Sequence, residues 1–195
     1  MSRGVIAGLV LAGGAGRRFG APKQLAELDG VPLLQHAVDA MLAVPALDRV
    51  VVVLGAAAEQ IGAAVRFASA EPIVCEGWAE GMAASLRCGV EELGGADWVV
   101  VTLGDMPGVT PEAIEAVIAA VEAGPGADAV RASYAGRAGH PVALSRPLLA
   151  RVGALRGDVG ARELLQDAKV RDVEAGHLGR PDDVDTPEEL EAIRA

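Results

Sequence analysis

The most constraining stretch of the chain is Leu9-Val10-Leu11-Ala12-Gly13-Gly14-Ala15-Gly16-Arg17-Arg18-Phe19-Gly20-Ala21-Pro22-Lys23, in which an apolar strand leads directly into a glycine-rich loop. Glycines let backbone N–H groups approach an anion because no Cβ stands in the way. Successive N–H groups in such a loop form a concave site for phosphate oxygens. Arg17 and Lys23 add positive charge to the same loop. The stretch therefore predicts a loop that binds a triphosphate.

The spacing disfavours two other kinds of glycine-rich loop. A Walker A loop requires Gly-Lys followed by Ser or Thr, and that sequence does not occur here. A dinucleotide-binding loop requires G-x-G-x-x-G, but Phe19 stands at the third glycine position and Gly20 comes one residue late. That loop also requires an acidic residue at the end of the second strand, and no carboxylate follows the strand before Glu59.

Composition excludes several classes of partner. The 195 residues carry a net charge of −10, which argues against a nucleic-acid or anionic-membrane surface. The two cysteines are too few for a disulfide framework or a four-ligand zinc site, and the three histidines lie far apart. No segment approaches the roughly 20 apolar residues that span a bilayer. We expect one soluble, cytoplasmic domain over residues 1–195.

Short apolar segments alternate with longer amphipathic ones along the chain. The predicted strands are Val5–Ala12, Val50–Leu54, Pro72–Cys75, Trp98–Leu103 and Ala129–Tyr134. The predicted helices are Leu33–Val44, Ala57–Arg66, Met82–Leu93 and Pro111–Ala123. Strands that are apolar on both faces are typical of parallel sheets covered by helices. We expect an α/β fold with three α/β/α layers, Rossmann-like, around a mostly parallel sheet.

The alternation is weaker after Gly136, where residues 139–144 indicate a short strand and residues 157–165 a turn that enters a helix. We expect this region to pack beside the sheet and to bind the second substrate. Residues of about 1–110 would then form the nucleotide-binding half and residues of about 111–195 the acceptor-binding half.

Two aspartates are left without a structural role by local capping patterns. Asp105 follows a buried strand, at the sheet edge where ligands bind in open α/β sheets, and Thr110 already caps the next helix. Near the end of the chain, Thr186 and Glu189 form a capping box that leaves Asp185 unexplained. Their neighbours Asp182 and Asp183 are interpreted as solvated. The capping patterns therefore leave both aspartates free for another task.

The loop pattern L-A-[AG]-G-x-[GS]-x-R-x-G-x-x-K resembles that of the MobA-like nucleotidyltransferase family. It is filled without a gap by Leu11, Ala12, Gly13, Gly14, Gly16, Arg17, Gly20 and Lys23. The resemblance implies nucleotide binding by these loop residues (Gly20 apart) with Gly81, Ser85 and Asp105, and catalytic roles for Arg17, Lys23 and Asp105. It also implies a Mg²⁺ cofactor held by Asp105, in L-G-D-x-P, and approached by Asp185, in the D-x-D-T-P-x-x-L ending.

The stretch from Trp78 to Leu86, W-x-x-G-M-x-x-S-L, resembles the molybdenum-cofactor cytidylyltransferase branch of that family. His140, in Gly-His-Pro, and Arg162, in G-D-x-G-A-R, resemble that branch too, which implies that they bind the acceptor. The L-A-G-G of the loop follows the guanylyltransferase version instead, and residue 13 lies near the base in this family. The choice between CTP and GTP is therefore open, and the longer match favours CTP.

The resemblance implies transfer of CMP from CTP to a molybdenum–molybdopterin acceptor, with release of pyrophosphate and delivery to a molybdoenzyme or its chaperone. A GTP-dependent guanylyltransferase is the close variant. An isoprenoid-type cytidylyltransferase is a third interpretation, because Pro22-Lys23-Gln24 also fits that group. A non-catalytic carrier of the molybdenum cofactor and a dinucleotide-dependent oxidoreductase are the alternatives from other classes. Neither nucleic acid nor a membrane is expected as a partner.

Overall fold

The computed structural model describes residues 4–16 and 18–194. Its strands are β1 (Ile6–Ala12), β2 (Glu27–Leu28), β3 (Val31–Pro32), β4 (Arg49–Leu54), β5 (Glu71–Val74), β6 (Trp98–Leu103), β7 (Ala129–Tyr134), β8 (Arg137–Ser145) and β9 (Val170–Glu174). Its helices are α1 (Leu33–Leu42), α2 (Ala58–Ala64), α3 (Met82–Glu92), α4 (Pro111–Glu122), α5 (Arg146–Leu149), α6 (Ala161–Leu164) and α7 (Pro187–Arg194), with 3₁₀ turns at Lys23–Leu25, Glu76–Glu80 and Val152–Ala154.

Seven strands form one sheet in the order β5-β4-β1-β6-β8-β7-β9. β1 lies between β4 and β6 and runs parallel to both, with Leu11 opposite Val53 on one side and Leu103 on the other. The carboxyl ends of these three strands therefore meet at one edge of the sheet. The glycine loop leaves that edge after β1, and Asp105 follows β6 at the same edge.

The predicted mostly parallel sheet is confirmed, with β8 as the strand that runs antiparallel to its neighbours β6 and β7. The turn chemistry explains this reversal. Ala135 and Gly136 both adopt positive φ, 51° and 78°, as in the two-residue turn that joins antiparallel strands in tight hairpins. The short strand predicted at 139–144 is consequently part of a longer hairpin arm, Arg137–Ser145.

The three-layer arrangement follows from the alternation of side chains along the central strands. In β1, Val10 packs on the face covered by α1 and α4, whereas Leu9 and Leu11 pack on the face covered by α3. Helix α3 lies close to the sheet at Gly89, where an added Cβ would stand 2.4 Å from Leu9 Cδ1. The core thus consists of aliphatic side chains on both faces of the sheet, which confirms the three α/β/α layers.

Local capping patterns are also confirmed. Thr110 Oγ1 accepts a hydrogen bond from the Ala113 N–H at the start of α4. The Thr186 hydroxyl accepts from the Glu189 N–H, and the Glu189 carboxylate accepts from the Thr186 N–H. These pairs satisfy backbone donors that a helix start leaves without partners.

The two cysteines form a disulfide between Cys75, just after β5, and Cys88 in α3, with their Cα atoms 5.9 Å apart. The bond ties an edge strand to the helix that covers one face of the sheet. Because both thiols are used, neither cysteine is available as a metal ligand. Within residues 4–16 and 18–194, no helix is long and apolar enough to cross a membrane.

Candidate functional site

A cavity of about 520 Å³ opens at the carboxyl edge of β1 and β6. Its walls come from four parts of the chain that the fold brings together. They are the glycine loop at 11–16 with residues 18, 23 and 24, the segment 78–82 that leads into α3 together with Ser85, residues 103–105 at and just after the end of β6, and the acidic residues 158, 183 and 185. A volume of this size is typical of small-molecule sites.

The glycine loop has a backbone conformation that its sequence requires. Gly16 has a φ of +60°, and a Cβ at this position would lie 2.3 Å from the Ala21 carbonyl oxygen, so only glycine fits. The Gly16 carbonyl accepts hydrogen bonds from the N–H groups of Phe19 and Gly20, at 3.0 and 3.1 Å. The loop therefore folds back on itself and directs the chain toward Lys23.

The Lys23 ammonium stands between two carboxylates at the floor of the cavity. It forms an ion pair with Asp105 Oδ2 and donates a hydrogen bond to Asp185 Oδ1 at 2.8 Å. All three side chains are largely buried, with exposed fractions of 16% for Lys23, 13% for Asp105 and 22% for Asp185. Arg18 contacts the other oxygen of Asp185 at 2.6 Å. A cation therefore already joins the two predicted metal-binding residues.

Burial and charge move the pKa values of these groups in different directions. Burial raises the pKa of the Asp105 carboxyl, and the Lys23 ammonium offsets part of that rise. Burial alone would lower the pKa of Lys23, but the two carboxylates outweigh it and raise that pKa. The hydrogen bond from Lys23 lowers the pKa of Asp185, and Arg18 adds to this effect. Ionised Asp105 thus depends on a cation beside it.

Asp185 reaches the cavity because the last segment of the chain is fixed along the end of β6. The Val184 N–H donates to the Asp105 carbonyl at 3.0 Å, and the Val184 side chain is fully buried against Leu33 and Leu190. The Glu189 carboxylate then accepts from the Asp185 N–H at 2.7 Å. These contacts hold the Asp185 carboxylate beside Lys23.

The donor set fits a hard divalent cation. Asp105 Oδ1 is buried and has no hydrogen-bond partner in the described part of the chain, so a lone pair is left for a ligand. The ammonium of Lys23 already occupies a cation position between the two carboxylates. Residues 4–16 and 18–194 hold no cluster of three or more acidic, histidine or cysteine ligands. A metal here would take two carboxylates from the protein and further oxygens from phosphate and water, as Mg²⁺ does.

In the wall of the cavity, Gly13 and Ser85 share one small space. A Cβ added at Gly13 would lie 2.5 Å from Ser85 Oγ, and Ser85 is buried. Gly81 has a φ of +122°, and an added Cβ would lie 2.5 Å from the Gly157 carbonyl group. The Gly157 carbonyl accepts from the Ala83 N–H at 3.1 Å. The G-D-x-G segment therefore covers the start of α3.

Most of the residues that the sequence analysis selects are brought to this cavity. They are Leu11, Ala12, Gly13, Gly14, Gly16, Lys23, Gly81, Ser85, Asp105 and Asp185. Arg17 lies outside the described residues. Asp183 is exposed, as its interpretation as a solvated residue requires, but it also lines the cavity, and its charge adds to the effect of burial in raising the pKa of Asp105. It lies at the surface of the cavity because the buried Val184 beside it anchors the segment.

His140 and Arg162, the predicted acceptor-binding residues, are not among the residues that line the cavity. Arg162 lies exposed in the short helix α6. His140 lies in β8, two residues before Val142, which pairs with Val101 of β6. Antiparallel pairing thus places His140 toward the carboxyl end of β6. Its carbonyl accepts a hydrogen bond from the Tyr134 hydroxyl at 2.7 Å, and its Nδ1 is buried without a partner in the described chain.

Arg18 and Gln24 also line the cavity, although neither is a predicted site residue. Arg18 follows the predicted site residue Arg17, and its position in this pair of arginines is the one sequence feature that could have indicated a role in the site. Gln24 is 2% exposed and bonds to the glycine loop. The sequence shows that a polar residue immediately follows the loop lysine, but it does not show that this residue is buried, because its burial depends on tertiary packing.

Residues 8–173 match the MobA-like NTP transferase domain. The chain is 30% identical to the nicotine blue oxidoreductase of Paenarthrobacter nicotinovorans, over 95% of this chain and 94% of that protein. It is 33% identical to the purine catabolism protein PucB of Bacillus subtilis, over 96% and 95% of the two chains. A probable molybdenum cofactor guanylyltransferase of Pyrococcus horikoshii is 37% identical, over 56% of this chain and 53% of that protein.

Among solved structures, Rv0371c of Mycobacterium tuberculosis superposes with a TM-score of 0.88 and 30% identity, covering 99% of this chain and 98% of that one. A manganese complex of the same protein superposes with a TM-score of 0.81 and 28% identity, over 97% of each chain. Nucleotidyltransferases of this kind generally use divalent metals, in agreement with the carboxylate site described above.

We predict that His140 stays neutral at physiological pH, because burial lowers its pKa to about 4. The unfolded chain would bind a proton near pH 6.5 that the folded chain does not bind. The unfolding free energy should therefore fall as the pH drops from about 6.5 toward 4. NMR titration of the imidazole resonances, with His140→Gln for assignment, checks this.

In urea unfolding, His140→Gln should also remove part of that acid-side loss of stability. A His140 midpoint near 6.5, or an unchanged pH dependence in His140→Gln, would contradict the prediction. A neutral ring could offer an acceptor a hydrogen bond but no positive charge.

Proposed function

The chain belongs to the MobA-like NTP transferase domain family and is a nucleotidyltransferase, and from this premise we propose that it transfers CMP from CTP to a molybdenum–molybdopterin acceptor. The observation that carries the proposal is the Lys23 ammonium held between Asp105 and Asp185 in the cavity that the glycine loop lines. This arrangement provides a cation and a pair of metal ligands beside a loop suited to a triphosphate.

The proposed reaction needs positioning and charge neutralisation more than proton transfer. A phosphate oxygen of the acceptor attacks the α-phosphorus of CTP and forms a new P–O bond. The bond between the α-phosphorus and the oxygen that bridges it to the β-phosphate breaks. The electron pair leaves with pyrophosphate. A phosphate monoester is already anionic at neutral pH, so no general base is required.

Each residue of the site has a proposed task in this reaction. The backbone of Gly13, Gly14 and Gly16 would bind the phosphates, and Arg17 and Lys23 would neutralise their charge. Asp105 and Asp185 would hold Mg²⁺, which when bound would neutralise charge on the phosphate oxygens. Lys23 would leave the carboxylates and turn to the phosphates when the nucleotide enters.

The two halves of the domain would divide the substrates between them. Residues of about 1–110 supply the glycine loop and Asp105 for the nucleotide, with Gly81 and Ser85 beside the nucleoside. Residues of about 111–195 would bind the acceptor. We retain His140 and Arg162 as acceptor ligands, which requires the acceptor to extend beyond the cavity toward β8 and α6. A molybdoenzyme or its chaperone would receive the product.

A GTP-dependent reaction is the second candidate, and Gly13 is the observation that favours it. Leu11-Ala12-Gly13-Gly14 follows the guanylyltransferase version of the loop, and Gly13 lies against the buried Ser85 in the cavity wall. The partial similarity to a protein named as a probable molybdenum cofactor guanylyltransferase points in the same direction.

The test of the proposed function is pyrophosphate release in the presence of Mg²⁺, with CTP or GTP, each with and without the molybdenum–molybdopterin acceptor. We expect acceptor-dependent release with CTP. Asp105→Asn should reduce turnover by more than about 100-fold, because it removes the charge that holds the metal. Asp182→Asn, which changes an exposed neighbour outside the cavity lining, is the matched control and should retain activity.

Release with GTP alone would favour the guanylyltransferase, and no release with either nucleotide would contradict both candidates. Retained activity in Asp105→Asn would remove this residue from the metal site. Because one relative is named as an oxidoreductase, the oxidation of NADH or NADPH with an added electron acceptor is measured in parallel. That activity without pyrophosphate release would favour the oxidoreductase alternative.

We predict that Gly13→Ala shifts the ratio of kcat/KM for CTP over GTP toward CTP by roughly tenfold, the effect expected of one methyl group in a binding pocket. The added Cβ also crowds Ser85 Oγ, so the double variant Gly13→Ala/Ser85→Ala separates base selection from distortion of the loop. Gly62→Ala, at a helical glycine with open space around it, is the control. An unchanged ratio in both Gly13 variants would discard residue 13 as a base selector.

A further inference from the structure

Gln24 is a buried polar residue to which the proposed reaction assigns no task. It follows Lys23 in the 3₁₀ turn and is only 2% exposed. Its Nε2 donates two hydrogen bonds to the glycine loop, to the Ala12 carbonyl at 2.9 Å and to the Gly14 carbonyl at 2.8 Å. One side chain thus contacts the loop on both sides of Gly13.

These two hydrogen bonds also orient the N–H groups of the loop. In a planar trans peptide, the C=O and the following N–H point in opposite directions. With the Ala12 and Gly14 carbonyls turned toward Gln24, the N–H groups of Gly13 and Ala15 point away from it. The Gly13 carbonyl accepts from the Ala56 N–H at 3.4 Å. Three consecutive carbonyls are therefore held by donors outside the loop.

The remaining polar atom of Gln24 distinguishes it from a purely structural glutamine. Its Oε1 is buried and has no hydrogen-bond partner in the described part of the chain, which costs free energy in a folded protein. Gln35 is also buried, but its amide donates to Asp39 and to the Arg66 carbonyl and its Oε1 accepts from the Arg66 N–H. The Gln24 amide keeps an unsatisfied oxygen while both of its donors hold the loop.

We propose that Gln24 is a positioning residue that sets the phosphate-binding conformation of the glycine loop. By holding the Ala12 and Gly14 carbonyls on one side, it presents the Gly13 and Ala15 N–H groups to the phosphate oxygens of the nucleotide. Its neighbour Lys23 extends from the same turn to the metal-binding carboxylates. The turn therefore couples the two parts of the site. This inference rests on the triphosphate-binding step of the proposed function and on neither the base nor the acceptor.

The test uses magnesium tripolyphosphate as the probe, titrated calorimetrically into the full chain. Gln24→Met keeps the length of the side chain but removes both donors, so it should weaken binding by about 10-fold or more. Gln35→Met removes another buried amide, one that does not line the cavity, and should leave affinity within about twofold of wild type. With the proposed nucleotide, Gln24→Met should raise KM more than it lowers kcat, because the loop binds phosphates before and during transfer.

A second measurement uses the unaltered chain, in case Gln24→Met does not fold. Backbone NMR should show the amide resonances of Gly13 and Ala15 shifting on addition of magnesium tripolyphosphate. Wild-type affinity in Gln24→Met, equal weakening in Gln24→Met and Gln35→Met, or unmoved Gly13 and Ala15 amides would each overturn the assignment. If wild type binds tripolyphosphate but releases no pyrophosphate with any acceptor, the proposed function fails and the role of Gln24 stands.

Discussion

The Lys23 ammonium joins three parts of the chain that are distant in sequence. It extends from the turn after the glycine loop, contacts Asp105 at the end of β6, and donates to Asp185 just before α7. Two carboxylates would repel each other in a largely buried cavity, and Asp183 adds a further negative charge nearby. A cation between them offsets this repulsion, and the Lys23 ammonium supplies it.

In the proposed reaction this constraint would link the binding of metal and of nucleotide. A divalent ion between Asp105 and Asp185 would stand close to the ammonium that now joins them, so Lys23 would move as the metal enters. The triphosphate of the proposed substrate would offer the ammonium new anionic partners at the adjacent loop, where Gln24 donates to the Ala12 and Gly14 carbonyls. Metal, phosphate and lysine would thus exchange partners within one cavity while its charge stays balanced. The disulfide between Cys75 and Cys88 fixes α3, which forms the opposite wall of that cavity.

The sequence predicts those features that depend on local chemistry. The apolar strand before the glycines, the Thr110 cap and the box of Thr186 and Glu189 all involve residues a few positions apart, and each is confirmed. Asp105 and Asp185 could be selected because local capping left them without a role. Their meeting at Lys23 depends on strand order and on the burial of Val184, which no local pattern shows.

Other features were outside the reach of sequence reasoning for the same reason. The reversal of β8 follows from two positive φ angles at Ala135 and Gly136, and alanine gives no signal for that conformation. The burial of Gln24 and the exposure of Asp183 to the cavity are products of tertiary packing. His140 could be selected by resemblance, but the burial that lowers the pKa of its imidazole could not be predicted.

The most direct test of the account is the affinity for Mn²⁺, measured by electron paramagnetic resonance without nucleotide. Lys23→Met keeps the length of the side chain and removes the charge that competes with the metal, so it should bind Mn²⁺ at least about tenfold more tightly than wild type. Lys169→Met changes the only other lysine, which is exposed, and should bind as wild type does. Unchanged or weaker Mn²⁺ binding in Lys23→Met would contradict the claim that lysine and metal share the carboxylates.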